Sequence, residues 1–187
     1  MAIRKFLLSV WEVVEVLLVA LVSVFIVYGF IAQPFLVQGA SMEPNFSTGN
    51  YLIVDEVTYR FRDPMRGEVI VFKNPNNESE FYIKRIIGLP GESVDIMAGK
   101  VWIDGAVLAE DYLPVGIDLH GESPFKLDAD EYFVMGDNRP RSFDSRNWGP
   151  LKKDEIIGTV RLRFWPLNDF TLFSATASPV SDSSASK

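Results

Sequence analysis

Phe81-Tyr82-Ile83-Lys84-Arg85-Ile86-Ile87-Gly88-Leu89-Pro90-Gly91-Glu92 decides the fold class. Aromatic and β-branched residues fill its first half, and Gly88-Leu89-Pro90-Gly91 closes the run. A short run of this composition, stopped by turn formers, reads as a strand. The same pattern recurs at 51–55, 68–73, 93–97, 100–103, 131–135 and 156–164. Asp104-Gly105, between Ile103 and Ala106, is a strong hairpin signal. Residues 74–79 and 111–130 are polar or broken by Gly and Pro, and read as loops. There is no internal repeat. The body is therefore read as mostly β, an antiparallel β-sheet domain over 35–170. The remainder, 171–187, is rich in Ser, Ala, Thr, Pro and Asp from Ser174 on, the composition of a disordered tail.

Within the deciding strand, alternation puts Lys84 on one face with Tyr82 and Ile86, and Arg85 on the other with Ile83 and Ile87. Both faces are otherwise apolar, so one cation is expected in a dry setting. Only lysine could use it chemically. Desolvation disfavours an ammonium and lowers its pKa, whereas a guanidinium stays charged. A neutral amine could take a proton from a nearby hydroxyl. Periodicity alone also fits, and favours, an edge-strand lysine with a buried stem and a hydrated head.

Upstream lies Val37-Gln38-Gly39-Ala40-Ser41-Met42-Glu43-Pro44. Gly39 permits backbone angles that a side chain forbids, and Pro44 stiffens the exit. The pair would present the Ser41 hydroxyl on a constrained bend, though an ordinary turn has the same signature. Before it, residues 6–33 are nearly all apolar, with Glu12 and Glu15 near the start and no charge from Val16 to Gln33. About 20 apolar residues span a bilayer as a helix. A cleaved secretory signal fits less well, because the run is long and its end, Gly29-Phe30-Ile31-Ala32-Gln33-Pro34, lacks a small-x-small site. Residues 1–34 are thus read as a cytoplasmic N-terminus and one transmembrane helix. Arg4 and Lys5 precede the helix and the next positive charge is Arg60, which orients the N-terminus inward and the β domain outward.

Composition narrows the chemistry. The 187 residues carry a net charge of -7, which argues against a nucleic-acid partner. Cysteine is absent, which removes disulfides, thiolate nucleophiles and Cys-ligated zinc. The single histidine, His120, stands beside Gly121 and reads as a solvated loop residue. No metal or other cofactor is implied.

A third stretch, from Gly136 through Asp137-Asn138-Arg139-Pro140-Arg141-Ser142-Phe143-Asp144-Ser145-Arg146 to Gly149, is a polar loop directly after an apolar strand. Its mixed charges suit either a solvated connection or a local network. Taken together and in order, the serine stretch 39–44, the lysine stretch 82–92 and the loop 136–149 resemble the type I signal peptidases, membrane-bound serine proteases with a Ser-Lys dyad. The resemblance covers roughly 35–167 and includes an anchor of the expected kind.

That resemblance implies roles. Ser41 is the nucleophile and Lys84 the general base. Ser142 would hydrogen-bond the Lys84 amine. Asp144 would pair with Arg146, and Arg85 with Asp137. The Ser41 N–H would donate to the oxyanion. Some relatives carry a second oxyanion hydroxyl where this chain has Gly39. Phe35, Val37, Met42, Phe46, Tyr82 and Ile83 are expected to line shallow substrate pockets. Substrates would be secretory preproteins with Ala-x-Ala-like cleavage sites, bound extended against a sheet edge beside membrane lipid. The location implied is the cytoplasmic membrane, with a single pass and the catalytic domain on the extracytoplasmic face. Two other readings stand beside it: a Ser-Lys protease of the self-cleaving repressor kind, and a tethered β domain that only binds.

Overall fold

The computed structural model describes residues 2–30, 32–75, 77–114, 116–117, 119–120 and 124–173. A helix, α1, covers Ala2–Phe30. Its apolar residues continue without proline, and Gly29 and Pro34 mark its end. Its described side chains from Ser9 to Phe25 are exposed, Leu21 and Phe25 among them. Among the described residues no helix is long and apolar enough to cross a membrane. The transmembrane helix expected from the sequence is thus not shown by the described residues.

Among the described residues twelve strands follow: β1 (Ala32–Leu36), β2 (Tyr51–Asp55), β3 (Val69–Asn74), β4 (Asn77–Gly88), β5 (Ser93–Met97), β6 (Lys100–Ile103), β7 (Ala106–Val107), β8 (Phe125–Lys126), β9 (Glu131–Met135), β10 (Leu151–Lys152), β11 (Ile156–Trp165) and β12 (Thr171–Leu172). A one-turn helix, α2, covers Ser145–Trp148. The large sheet runs β1-β2-β11-β3-β4-β9-β10, with β12 also beside β11, and the small one runs β7-β6-β5-β8. All pairings are antiparallel.

Three expectations are corrected. Residues 32–36 form an edge strand rather than the end of the anchor. Pro34 is tolerated there because an edge strand needs no inward N–H from it. The loop read over 74–79 is strand from Asn77, because β3 is long enough to pair with it. Residues 171–173 do not belong to a loose tail. β12 pairs with β11, and the Phe173 ring lies 5.0 Å from that of Phe46. The tail read over 174–187 lies outside the described residues. Asp104-Gly105 does make the tight hairpin between β6 and β7, both residues having positive φ.

β3 organises the core. Val69 and Val71 join a cluster with Val37, Met42, Phe46, Leu52, Val54 and Val160. Ile70 and Phe72 join another with Ile86, Tyr132, Val134 and Leu151. A strand buried on both faces reads as a continuous apolar run, as Val69-Ile70-Val71-Phe72 does. The small sheet packs its own cluster, from Val94 and Val101 to Leu127, against Phe133 and Met135 of β9.

Candidate active site

β1 and β4 run in the same direction, because antiparallel steps link them through β2, β11 and β3. The sheet curls until Phe35 and Phe81 meet edge to face, with centroids 5.6 Å apart. Between these strands lies a groove of about 560 Å³. One wall is Phe35 to Ser41, the other Glu80 to Lys84, and Leu52 and Val71 contribute beneath. Both walls end, in chain direction, at the two residues singled out from sequence. β4 pairs with β3 at Asn77 and from Phe81 to Arg85 but meets β9 only from Arg85 on, so among the described residues its other edge is unladdered before that point.

Ser41 sits in a turn after Gly39, whose φ of +97° belongs to glycine. The Ser41 carbonyl accepts from Asn138 N at 2.9 Å. Its own N–H has no acceptor among the described residues. Met42 and Phe46 follow it into the core, at 1% and 0% exposure, and anchor the turn from below. They were expected as pocket residues. They do not line the groove, because the turn points them inward. Phe35, Val37, Tyr82 and Ile83 do line it.

Lys84 is 4% exposed and its Nζ lies 2.8 Å from Ser41 Oγ. The amine also donates to Ile83 O at 3.0 Å. Burial pushes the Lys84 pKa down to about 8, against the pull of Asp144 and Asp137 and with a small push from Arg146. Arg85 is also largely buried, and it is paired. Its Nε and Nη2 bind Asp137 at 2.8 and 2.6 Å, and its guanidinium stacks 4.1 Å from the Tyr112 ring.

Asp144 caps α2 and accepts from Gly136 N at 3.0 Å and from Arg146 Nε at 2.8 Å. Arg146 in turn binds Arg139 O and His120 O, which locks the loop. His120 therefore contributes a carbonyl here. The expected hydrogen bond from Ser142 to the Lys84 amine is not formed. Ser142 Oγ is buried without a hydrogen-bond partner among the described residues, wedged against Gly136 near the Ser41 carbonyl. The Lys84 amine is directed to Ser41 and Ile83 instead.

The Ser41–Lys84 contact is buried and lies at the end of an open strand edge. The family profile described as "Signal peptidase, peptidase S26" matches residues 10–165. The chain belongs to the signal peptidase (S26) family. A relative named "Probable signal peptidase I-2" from Synechocystis is 39% identical over 74% of this chain and 65% of its own length. The signal peptidase I of Bacillus licheniformis is 34% identical over 86% of this chain and 91% of its own. A solved signal peptidase I from Enterococcus faecalis V583 is 33% identical, covering 52% of this chain and 97% of its own. The TM-score between the two is 0.45.

Asn45 and Arg163 carry no mark in the sequence but hold the site together. Asn45 Nδ2 donates to Asp137 Oδ2 at 2.8 Å and to Tyr112 O at 2.9 Å. Arg163, from β11, donates to Asn45 O at 2.6 Å and is held by Asp169 and Thr171. The serine turn is thereby bolted to the Arg85–Asp137 pair and to the β11–β12 end of the sheet. Asn45→Ala would leave the buried Asp137 carboxylate short of a donor, and should cost about 1–3 kcal/mol. A denaturant midpoint matching wild type would show that the bolt carries no load.

Proposed function

We propose that the chain is a membrane-anchored serine endopeptidase that removes signal peptides from secretory preproteins, with Ser41 as nucleophile and Lys84 as general base. The observation that carries this is the Nζ–Oγ separation of 2.8 Å, made by an amine almost stripped of water. Neutral Lys84 accepts the Ser41 proton as Oγ attacks the scissile carbonyl, and the ammonium then protonates the leaving amine. The amine next deprotonates a water, whose attack releases the acyl group from Ser41 as the ammonium returns that proton to Oγ. The Ser41 N–H, which has no acceptor among the described residues, is available to the oxyanion. Asp144, Arg146 and Ser142 hold the loop against the dyad, and Gly39 shapes the turn.

An extended peptide can add to the free edge of β4 in the groove. Phe35, Val37, Tyr82 and Ile83 present apolar walls suited to alanine at the −1 and −3 positions of an Ala-x-Ala site. α1 serves as a single-pass anchor in the cytoplasmic membrane. The support is its uncharged apolar run from Val16 onward and its exposed Leu and Val side chains, which water would penalise. The N-terminus lies in the cytoplasm by the positive-inside bias. Ser41 follows Gln33 by eight residues, so it stays within roughly 30 Å of the bilayer.

The direct test is cleavage of a preprotein with an Ala-x-Ala site in detergent. Wild type should release the mature chain and Ser41→Ala should not. An intact preprotein with wild type contradicts the proposal, and so does cleavage by the variant. The pH dependence is also specified. The base works only when neutral, so kcat/KM should rise with pH, with a midpoint set by Lys84 at about 8. At pH 7 about one-tenth of the molecules would be active. A profile rising only near 10 would match an ordinary lysine, at about 10.4.

A further inference from the structure

We propose that Arg141 makes the groove select for substrates with an acidic side chain within two residues of the scissile bond. This rests on the reading that the groove holds the peptide to be cut. Three charged side chains line it: Glu80, Lys84 and Arg141. Lys84 is committed to Ser41. The Glu80 carboxylate accepts from Asn74 and Asn77, each at 3.1 Å. Arg141 is exposed, and its guanidinium has no partner among the described residues. The base of its side chain is nevertheless fixed, since its N–H donates to Asn138 O at 3.0 Å.

Position gives this cation its meaning. Arg141 precedes Ser142, whose Oγ and the Ser41 carbonyl oxygen would each lie 2.3 Å from a Cβ at Gly136. It therefore stands at the cleavage end of the groove. Glu80 lies four residues back along β4, about 13 Å from Lys84. The groove is positive where the bond is cut and negative at its far end. When Lys84 is neutral and acting as base, Arg141 is the groove cation that remains, because a guanidinium does not titrate in this range. A peptide filling the groove displaces water from it. A substrate carboxylate in reach restores two charge-assisted hydrogen bonds, a neutral residue restores none, and a lysine is repelled. The site is open, so the discrimination is modest, about 3- to 5-fold.

The test uses the full chain in non-ionic detergent and soluble peptides containing Ala-x-Ala. Asp, Asn or Lys is placed singly at −2, +1 and +2, and kcat/KM is read for each. At one position Asp should exceed Asn by about 3- to 5-fold, with Lys below both. The preference should vanish in Arg141→Gln, persist in Arg141→Lys and invert in Arg141→Glu. It should also shrink at high salt. An Asp-to-Asn ratio near one in wild type overturns the proposal, as does a ratio that survives Arg141→Gln. An Arg141→Gln defect seen only with anionic lipid vesicles assigns the guanidinium to a headgroup and also overturns it. Failure of wild type to cut the all-neutral peptide is a different result: the peptidase reading then falls, and this inference with it.

Discussion

Replacing Lys84 by methionine is expected to remove at least about 10³-fold of the cleavage rate, because one side chain serves as base and then acid in both half-reactions. The same substitution should raise stability at neutral pH. Lys84 in the folded chain titrates at about 8, below the unfolded value of about 10.4. Below pH 8 both states bind the proton, and folding carries the full cost of a charged amine in a dry site. As pH rises from 8 to about 10.4 the folded amine is already neutral while the unfolded one is not. The unfolded state then binds more protons, so wild-type stability rises by about 3 kcal/mol across that window. The methionine variant lacks this rise. Denaturation of both proteins at pH 7 and pH 11 measures it, and parallel pH dependences would show that the amine is hydrated.

Gly136→Ala should also be severe, through geometry alone. A Cβ there would stand 2.3 Å from Ser142 Oγ and 2.3 Å from the Ser41 carbonyl oxygen. A side-chain hydroxyl can rotate aside, but the carbonyl is backbone and is already held by Asn138 N. Accommodating the methyl group must shift the serine turn away from Lys84. Overpacking of this kind costs about 1–3 kcal/mol. A displacement near 1 Å in a reacting group costs about 10²-fold in rate. The measurement is kcat alongside the unfolding midpoint. Adding Ser142→Ala should recover only part of the loss, since it relieves the hydroxyl contact and not the carbonyl one. Wild-type kcat in Gly136→Ala would show that the serine turn is not held by this contact.

The sequence disclosed what periodicity can carry. Strands at 93–97, 100–103 and 131–135 match because apolar runs of ordinary strand length end at turn residues. β1 escaped because it follows an apolar helix without a composition change and contains Pro34, which only its edge position permits. The two-residue strands β7, β8, β10 and β12 are too short to show any period. For the site, Ser41 and Lys84 stood out because their local settings are unusual: a glycine-proline frame for one and an apolar strand for the other. Asn45 and Arg163 carried no such mark. Each acts across a large sequence separation, and nothing local distinguishes Asn45 from a turn former or Arg163 from a surface cation. Met42 and Phe46 show the reverse limit. Their apolar character was legible, but whether it faced the groove or the core depended on how the turn is seated.

The central claim is that the Lys84 amine is dry, touches the nucleophile and loses its proton near pH 8. The most direct measurement is an NMR titration of the Lys84 side-chain nitrogen in the full-length protein. A midpoint of about 8 is the predicted result, with a chemical-shift response to Ser41→Ala that reports the contact. A midpoint near 10.4, the value for a solvated lysine, would contradict the account.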